Sequence, residues 1–246
     1  MIDLIGNTPL IKLNYPSELT GCNIYGKAEF MNPGGSVKDR AALGIIQDAE
    51  EKKLIEPGGT VVEGTFGNTG IALTMINNSR GYKTIIVMPD AASLEKRDIL
   101  RNLGAELRIV EVKPYKDPGN YQHISRRLAE ELQAKGEGSV IWANQFDNTA
   151  NFEFHAKTTA KEIYDQLDGK IDGFTCAIGT GGTLAGTSVG LKELNPDIKI
   201  ACTDPQGATM YRYFKDSVLE VTGDPSETEG IGQARVTKNV EACLID

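Results

Sequence analysis

From residue 60 onward the chain alternates between short runs rich in Val, Ile and Thr and longer stretches of helical period. That alternation limits the fold more than any other feature. Strands that read as nearly continuous apolar runs are covered on both faces, and the helices between them serve as crossovers. TVVEGT, KTIIVMP, ELRIVEV, SVIWAN, GFTCAIG and KIACTDP are the expected strands. SLEKRDILRNLG reads as a helix capped by Ser93 and stopped at Gly104, and NYQHISRRLAEELQAKG as one stopped at Gly136. NTANFEFHAKTTAKEIYDQLDG and TLAGTSVGLKEL predict two more. The class is α/β, with two open, twisted, mainly parallel sheets covered by helices. A seam is expected near Asn144, giving a smaller α/β domain over 36–145 and a larger one from 1–35 and 146–246.

With 40% apolar residues in 246, the chain can bury a substantial core. Its 34 acidic against 26 basic residues, the latter forming no run, argue against nucleic acid and against anionic membrane surfaces. The opening MIDLIGNTPLIKL has no basic flank before a long apolar core, and runs such as TIIVMP are strand-sized, so the expectation is a soluble, cytoplasmic protein. Cys22, Cys176, Cys202 and Cys243 lie far apart without metal-ligand spacing, which predicts free thiols and no metal. His123 and His155 fall on helical stretches without a catalytic partner and are assigned surface or packing roles.

Three helix mouths hold the chemistry. In NPGGSVKDR, residues 32–40, Ser36 and Asp39 read as a capping box, which places Lys38 in the first helical turn. Positive charge is disfavoured there, so the amine is easier to deprotonate, as Schiff-base chemistry requires. The stretch fits equally a solvent-facing lysine behind a turn. In EGTFGNTG, residues 63–70, the backbone at Gly67 and Gly70 and the hydroxyls of Thr65 and Thr69 suit a carboxylate or phosphate, or form an ordinary strand-to-helix turn. In GTGGT, Gly179, Thr180, Gly181, Gly182 and Thr183 offer N–H groups and a hydroxyl to a phosphate monoester. A dinucleotide-binding turn competes, with Asp204 as its ribose acid, but Leu184 stands where the third glycine of that pattern belongs.

Together these give an amine, a phosphate site and a carboxylate site at strand C-termini, where such folds bind ligands. Pyridoxal 5′-phosphate acting on an amino acid needs all three. Lys38 would take the aldehyde, the glycine loop the phosphate, the TFGNTG loop the substrate carboxylate, and Asn68 the ring hydroxyl.

The ordered motifs NTPLIKL, NPGGSVKDRAA, GNTGIAL, ANQFDNTAN, GTGGTLAG and EGIGQ resemble the cysteine synthase (O-acetylserine sulfhydrylase) and cystathionine β-synthase family of fold type II pyridoxal phosphate enzymes. The resemblance implies that Lys38 is the Schiff-base lysine and proton shuttle, that Asn68 meets the cofactor ring hydroxyl and that Gly179 to Thr183 hold its phosphate. It also implies that Thr65, Gly67 and Thr69 close on the substrate carboxylate, with Gln145 and Gly230 as further substrate-side contacts. The implied reaction converts O-acetylserine and sulfide to L-cysteine and acetate. The runners-up are cystathionine formation from serine and homocysteine, β-elimination, and an impaired relative that binds cofactor or a partner without turnover. A homodimer and docking of the serine acetyltransferase C-terminal peptide are implied partners. Two departures stand out. Phe66 occupies a position where the family usually has Ser or Ala, so its ring is expected either to narrow the pocket or to turn outward. The family also continues past EACLID into further structure, so a C-terminal part is expected to be missing here.

Overall fold

The computed structural model describes residues 1–136, 138–223 and 228–246. An N-terminal ribbon pairs β1 (Leu10–Lys12) antiparallel with β2 (Tyr25–Lys27), with α1 (Asn14–Thr20) between them. The chain then runs α2 (Lys38–Glu51), β3 (Thr60–Gly64), α3 (Asn68–Arg80), β4 (Lys83–Pro89), α4 (Leu94–Asn102), β5 (Glu106–Val110), α5 (Tyr121–Lys135) and β6 (Val140–Trp142). Strands β3 to β6 form one parallel sheet in the order β5-β4-β3-β6. After it come α6 (Ala150–Lys157), α7 (Thr159–Gln166), β7 (Gly173–Ala177), α8 (Gly182–Leu194), β8 (Lys199–Thr203), α9 (Met210–Asp216) and α10 (Lys238–Glu241), with β7 and β8 paired in parallel. The expected α/β class and all six expected strands are present.

The expected caps also form. Ser93 accepts a hydrogen bond from the Lys96 amide at the start of α4, and Gly136 ends α5 in the left-handed region. The single helix expected over 148–169 is broken in two at Thr158. There the Thr158 hydroxyl donates to the Phe154 carbonyl at 2.7 Å, and the His155 ring shares a hydrogen bond of 2.8 Å with the Thr159 hydroxyl. Such local side-chain bonds compete with the helical ladder, which period alone does not reveal. The antiparallel ribbon and α1 lie before the region where the alternation begins.

One core packs α2 and α3 against β3 through Ile45, Ile46, Val61, Leu73 and Ile76. A second gathers Ile178, Leu184, Leu191, Ile198 and Ile200 around β7, β8 and α8, with Cys176, Cys202 and Cys243 against it. All four cysteines are free, as expected. No helix among the described residues is long and apolar enough to cross a membrane.

A buried ionic knot ties the N-terminal segment to α2 and α7. Arg40, with no exposed side-chain surface, donates to both oxygens of Glu29 at 2.7 and 2.9 Å and to both oxygens of Glu162 at 2.7 Å. Lys27 adds a bond to Glu162 at 2.7 Å. Burial alone would raise the pKa of Glu162, but the hydrogen bonds from Arg40 and Lys27 outweigh it and hold the carboxyl at about 2. Removing the cation leaves Glu29 without an ion pair and Glu162 with Lys27 alone, so Arg40→Met should lower stability by about 3–5 kcal/mol, read from urea unfolding. The stabilisation from Glu162 should be complete above its ordinary value of 4.5 and fade as pH falls toward about 2, a loss that acid unfolding shows in wild type and to a smaller extent in the variant.

Candidate functional site

The first turn of α2 sends three consecutive charged side chains in three directions. Arg40 enters the ionic knot. Asp39 turns back to accept the Gly34 amide at 2.5 Å, so it closes the Pro-Gly-Gly turn instead of completing a capping box with Ser36. The Ser36 hydroxyl accepts from the Lys38 amide at 3.2 Å, and Val37 is the capping residue, without a side-chain cap bond. The expected box therefore does not form, because the turn's own amide takes the carboxylate. Lys38 is left facing a cavity of about 240 Å³. Its Nζ has no hydrogen-bond or ion-pair partner among the described residues, and burial pushes its pKa down, against a smaller opposing influence of Cys176.

The TFGNTG loop, at the C-terminal end of β3, forms one wall. Gly67 has φ of +148°, a backbone conformation that favours glycine, and it lies against the flexible side chain of Lys96. Thr65 accepts the Gly67 amide at 3.1 Å, and the Thr69 hydroxyl donates to Gln145 Oε1 at 2.5 Å. Asn68 opens α3 with its side chain exposed at the cavity. Phe66 does not turn outward. Its half-buried ring meets Tyr121 edge-on at 5.4 Å and packs on the cores at both faces of the sheet while lining the cavity.

The opposite wall is the loop from Gly179 to Thr183. Gly179 and Thr180 line the cavity; Gly181, Gly182 and Thr183 continue from them into α8. Thr180 Oγ1 accepts from Asn151 Nδ2 at 3.1 Å and from the Gly182 amide at 3.3 Å. A Cβ on Gly182 would lie 2.1 Å from Asn151 Oδ1, an oxygen that is buried and without a partner among the described residues. Gly230 lines the cavity beside this loop, held there by the Gly232 amide on the Ile178 carbonyl at 3.0 Å and by Gln233 on the Gly179 carbonyl at 2.8 Å. The structure thus brings Lys38, Thr65, Phe66, Gly67, Asn68, Thr69, Gln145, Gly179, Thr180 and Gly230 to one cavity, with Gly181 to Thr183 directly behind it.

Several contributors do not follow from the motifs. His155 is fully buried, its Nε2 3.4 Å from the Thr183 hydroxyl, and burial pushes its pKa down to about 3, so the ring is neutral. Its packing role is as expected, but its place behind the glycine loop is not visible in a helical period. Asn151 and Asn239 both donate to the Gln145 carbonyl, at 2.8 and 3.1 Å. Lys96 and Glu229 pair across the cavity mouth. Among the described residues no group of His, Cys, Asp and Glu is arranged to hold a metal. Gly182→Ala must displace Asn151 and should lower stability by about 1–3 kcal/mol, seen as an earlier urea midpoint.

A family described as pyridoxal-phosphate dependent enzyme matches residues 1–244. Cysteine synthase 1 of Neurospora crassa is 54% identical over 240 residues, covering 96% of this chain and 62% of that protein. Cysteine synthase 1 of Emericella nidulans is 51% identical over 244 residues, covering 98% and 64%. The chain therefore spans less than two thirds of the length of these relatives. Among solved structures, O-ureido-L-serine synthase superposes with a TM-score of 0.84 at 34% identity, covering 99% of this chain and 73% of that one. The cavity suits the cofactor this family is named for: an unpartnered, desolvated amine for the aldehyde, and a glycine loop whose backbone N–H groups open α8, with no room for a Cβ at Gly182, for the phosphate. Site chemistry, fold and a match over almost the whole chain agree, and this protein belongs to the pyridoxal-phosphate dependent enzyme family.

Proposed function

We propose that the cavity carries out β-substitution on an activated serine, most directly O-acetylserine and sulfide to L-cysteine and acetate. The observation that carries this reading is Lys38: one desolvated amine without a partner, set between two loops rich in N–H donors. The cysteine synthases of Neurospora and Emericella support the choice of substrate. Residues 36–145 are read as the substrate-loop domain, and 1–35 with 146–246 as the phosphate-binding domain.

Pyridoxal phosphate, held through Lys38, Asn68 and the loop from Gly179 to Thr183, supplies the electron sink for charge developing at the substrate Cα. The remaining work falls to the chain. Lys38 Nζ takes the substrate α-proton and later returns it to Cα, a task for which a lowered amine pKa is suited. The amides and hydroxyls at Thr65, Gly67 and Thr69 receive the α-carboxylate, Gln145 fixes Thr69, and Gly230 borders the amino group. Acetate leaves from Cβ with its bonding pair, and sulfide supplies the pair that forms the new C–S bond. Phe66, braced on Tyr121, narrows the substrate side and favours a small acceptor such as sulfide over homocysteine.

A second reading rests on Phe66: with its ring lining the substrate side of the cavity, the chain binds cofactor, or the serine acetyltransferase C-terminal peptide at the carboxylate loop, without turnover. For either reading we place the protein in the cytoplasm as a homodimer, with the exposed Leu4, Tyr15, Leu19, Phe30 and Met31 of the N-terminal segment as support for the second copy. Addition of pyridoxal phosphate should give a yellow absorption band in wild type and none in Lys38→Ala. O-acetylserine with sulfide should then yield cysteine and acetate in equal amounts. A band without products favours the second reading, and the absence of a band contradicts both.

A further inference from the structure

Glu63 is the last residue but one of β3, 1% exposed, and lies immediately before the loop that receives the carboxylate. Its Oε1 accepts from Gln145 Nε2 at 3.0 Å, while Gln145 Oε1 accepts the Thr69 hydroxyl at 2.5 Å. The amide of Gln145 therefore has both ends committed, one to Glu63 and one to the substrate loop. The other Glu63 oxygen, Oε2, is buried and has no partner among the described residues. A buried carboxylate with an unpartnered oxygen is costly, and a neutral acid lowers that cost because it removes the buried charge.

We propose that Glu63 is a positioning residue for the substrate carboxylate: as a neutral acid it anchors Gln145, which fixes Thr69, and its ionisation would set a negative charge behind the carboxylate site. This inference rests on the proposed amino-acid substrate. Among the described residues no cation pairs with Glu63. Tyr121 on α5 feels the Glu63 charge, and burial pushes its phenol up to about 12. The register neighbour of Glu63 on β4 is Ile86, and the groups facing it from the 144–145 turn and from α3 are Asn144, Gln145 and Thr69, all neutral. The charged groups lining the cavity are Lys38, Lys96 and Glu229, of which Lys96 and Glu229 pair with each other. Burial accordingly raises the Glu63 pKa to about 8, against smaller opposing hydrogen bonds from Gln145 and from the Asn144, Gln145 and Gly64 backbone. The acid is protonated below that value and ionises above it.

The test uses the cofactor-loaded protein and L-serine, offered without sulfide or homocysteine, as a carboxylate probe, its dissociation constant read from the change in cofactor absorbance as pH is raised. Relative to Glu63→Gln, in which the side chain cannot ionise, wild-type affinity should fall about tenfold between about pH 7 and about pH 9, the factor set by titration of one group near 8. Titration of the serine amine and of Lys38 is common to both proteins and cancels in the ratio. Glu63→Leu, which removes the acceptor for Gln145, should bind more weakly than Glu63→Gln at every pH. With O-acetylserine the effect should appear in KM and not in kcat. Parallel pH dependence of wild type and Glu63→Gln would overturn the proposal. Difference infrared spectra of the protein without cofactor supply an independent reading: a protonated carboxyl band at neutral pH, lost in Glu63→Gln, is expected, and its absence from wild type would also overturn it. Failure of O-acetylserine turnover with the serine result intact would count against the reaction alone.

Discussion

The site depends on how the first turn of α2 is held. Lys38, Asp39 and Arg40 are consecutive, so fixing the latter two leaves the amine little freedom of direction. Arg40 is clamped by Glu29, 11 residues before it, and by Glu162, 122 residues after it, and Asp39 is tied to the turn that precedes the helix. The arrangement resolves a conflict that the residue types create. A buried guanidinium is tolerable only when it is multiply paired, and here that pairing also aims an unpaired amine into a cavity. Stability is concentrated at position 40, and position 38 is left unpaired for chemistry.

The cavity walls come from both sides of the expected seam, and the segment after β6 joins them. The Gln145 side chain faces the substrate loop, while its carbonyl takes amide donors from Asn151 on α6 and Asn239 on α10. Asn151 also touches the glycine loop through Thr180. A short run of amide side chains thus connects the wall built by the TFGNTG loop to the wall built by the glycine loop. Glu63, buried behind that run, belongs to the same network.

Much of this was legible in the sequence, for reasons that differ by element. Strands buried on both faces announce themselves by composition, and glycine loops ahead of helices mark the places where backbone amides are unsatisfied, so the fold class and both walls could be read directly. Neighbour-dependent features could not. The Ser36 and Asp39 spacing suggests a reciprocal cap, but the Gly34 amide lies closer to the carboxylate. The helical period through 148–169 hides the break at Thr158, which local hydroxyl bonds decide. Glu63 sits inside a motif that was read for its glycines and threonines. A carboxylate at the end of a buried strand was the available signal, but its partner, 82 residues away, appears only in three dimensions.

The central claim is that one lysine, of all those in the chain, is placed to hold the cofactor. Loading the protein with pyridoxal phosphate, fixing the linkage with borohydride and mapping the pyridoxyl group by peptide mass spectrometry tests it most directly. The account predicts a single modified peptide, with the label on Lys38. A label spread over exposed lysines such as Lys52, Lys161 and Lys199, with Lys38 unmodified, would contradict it.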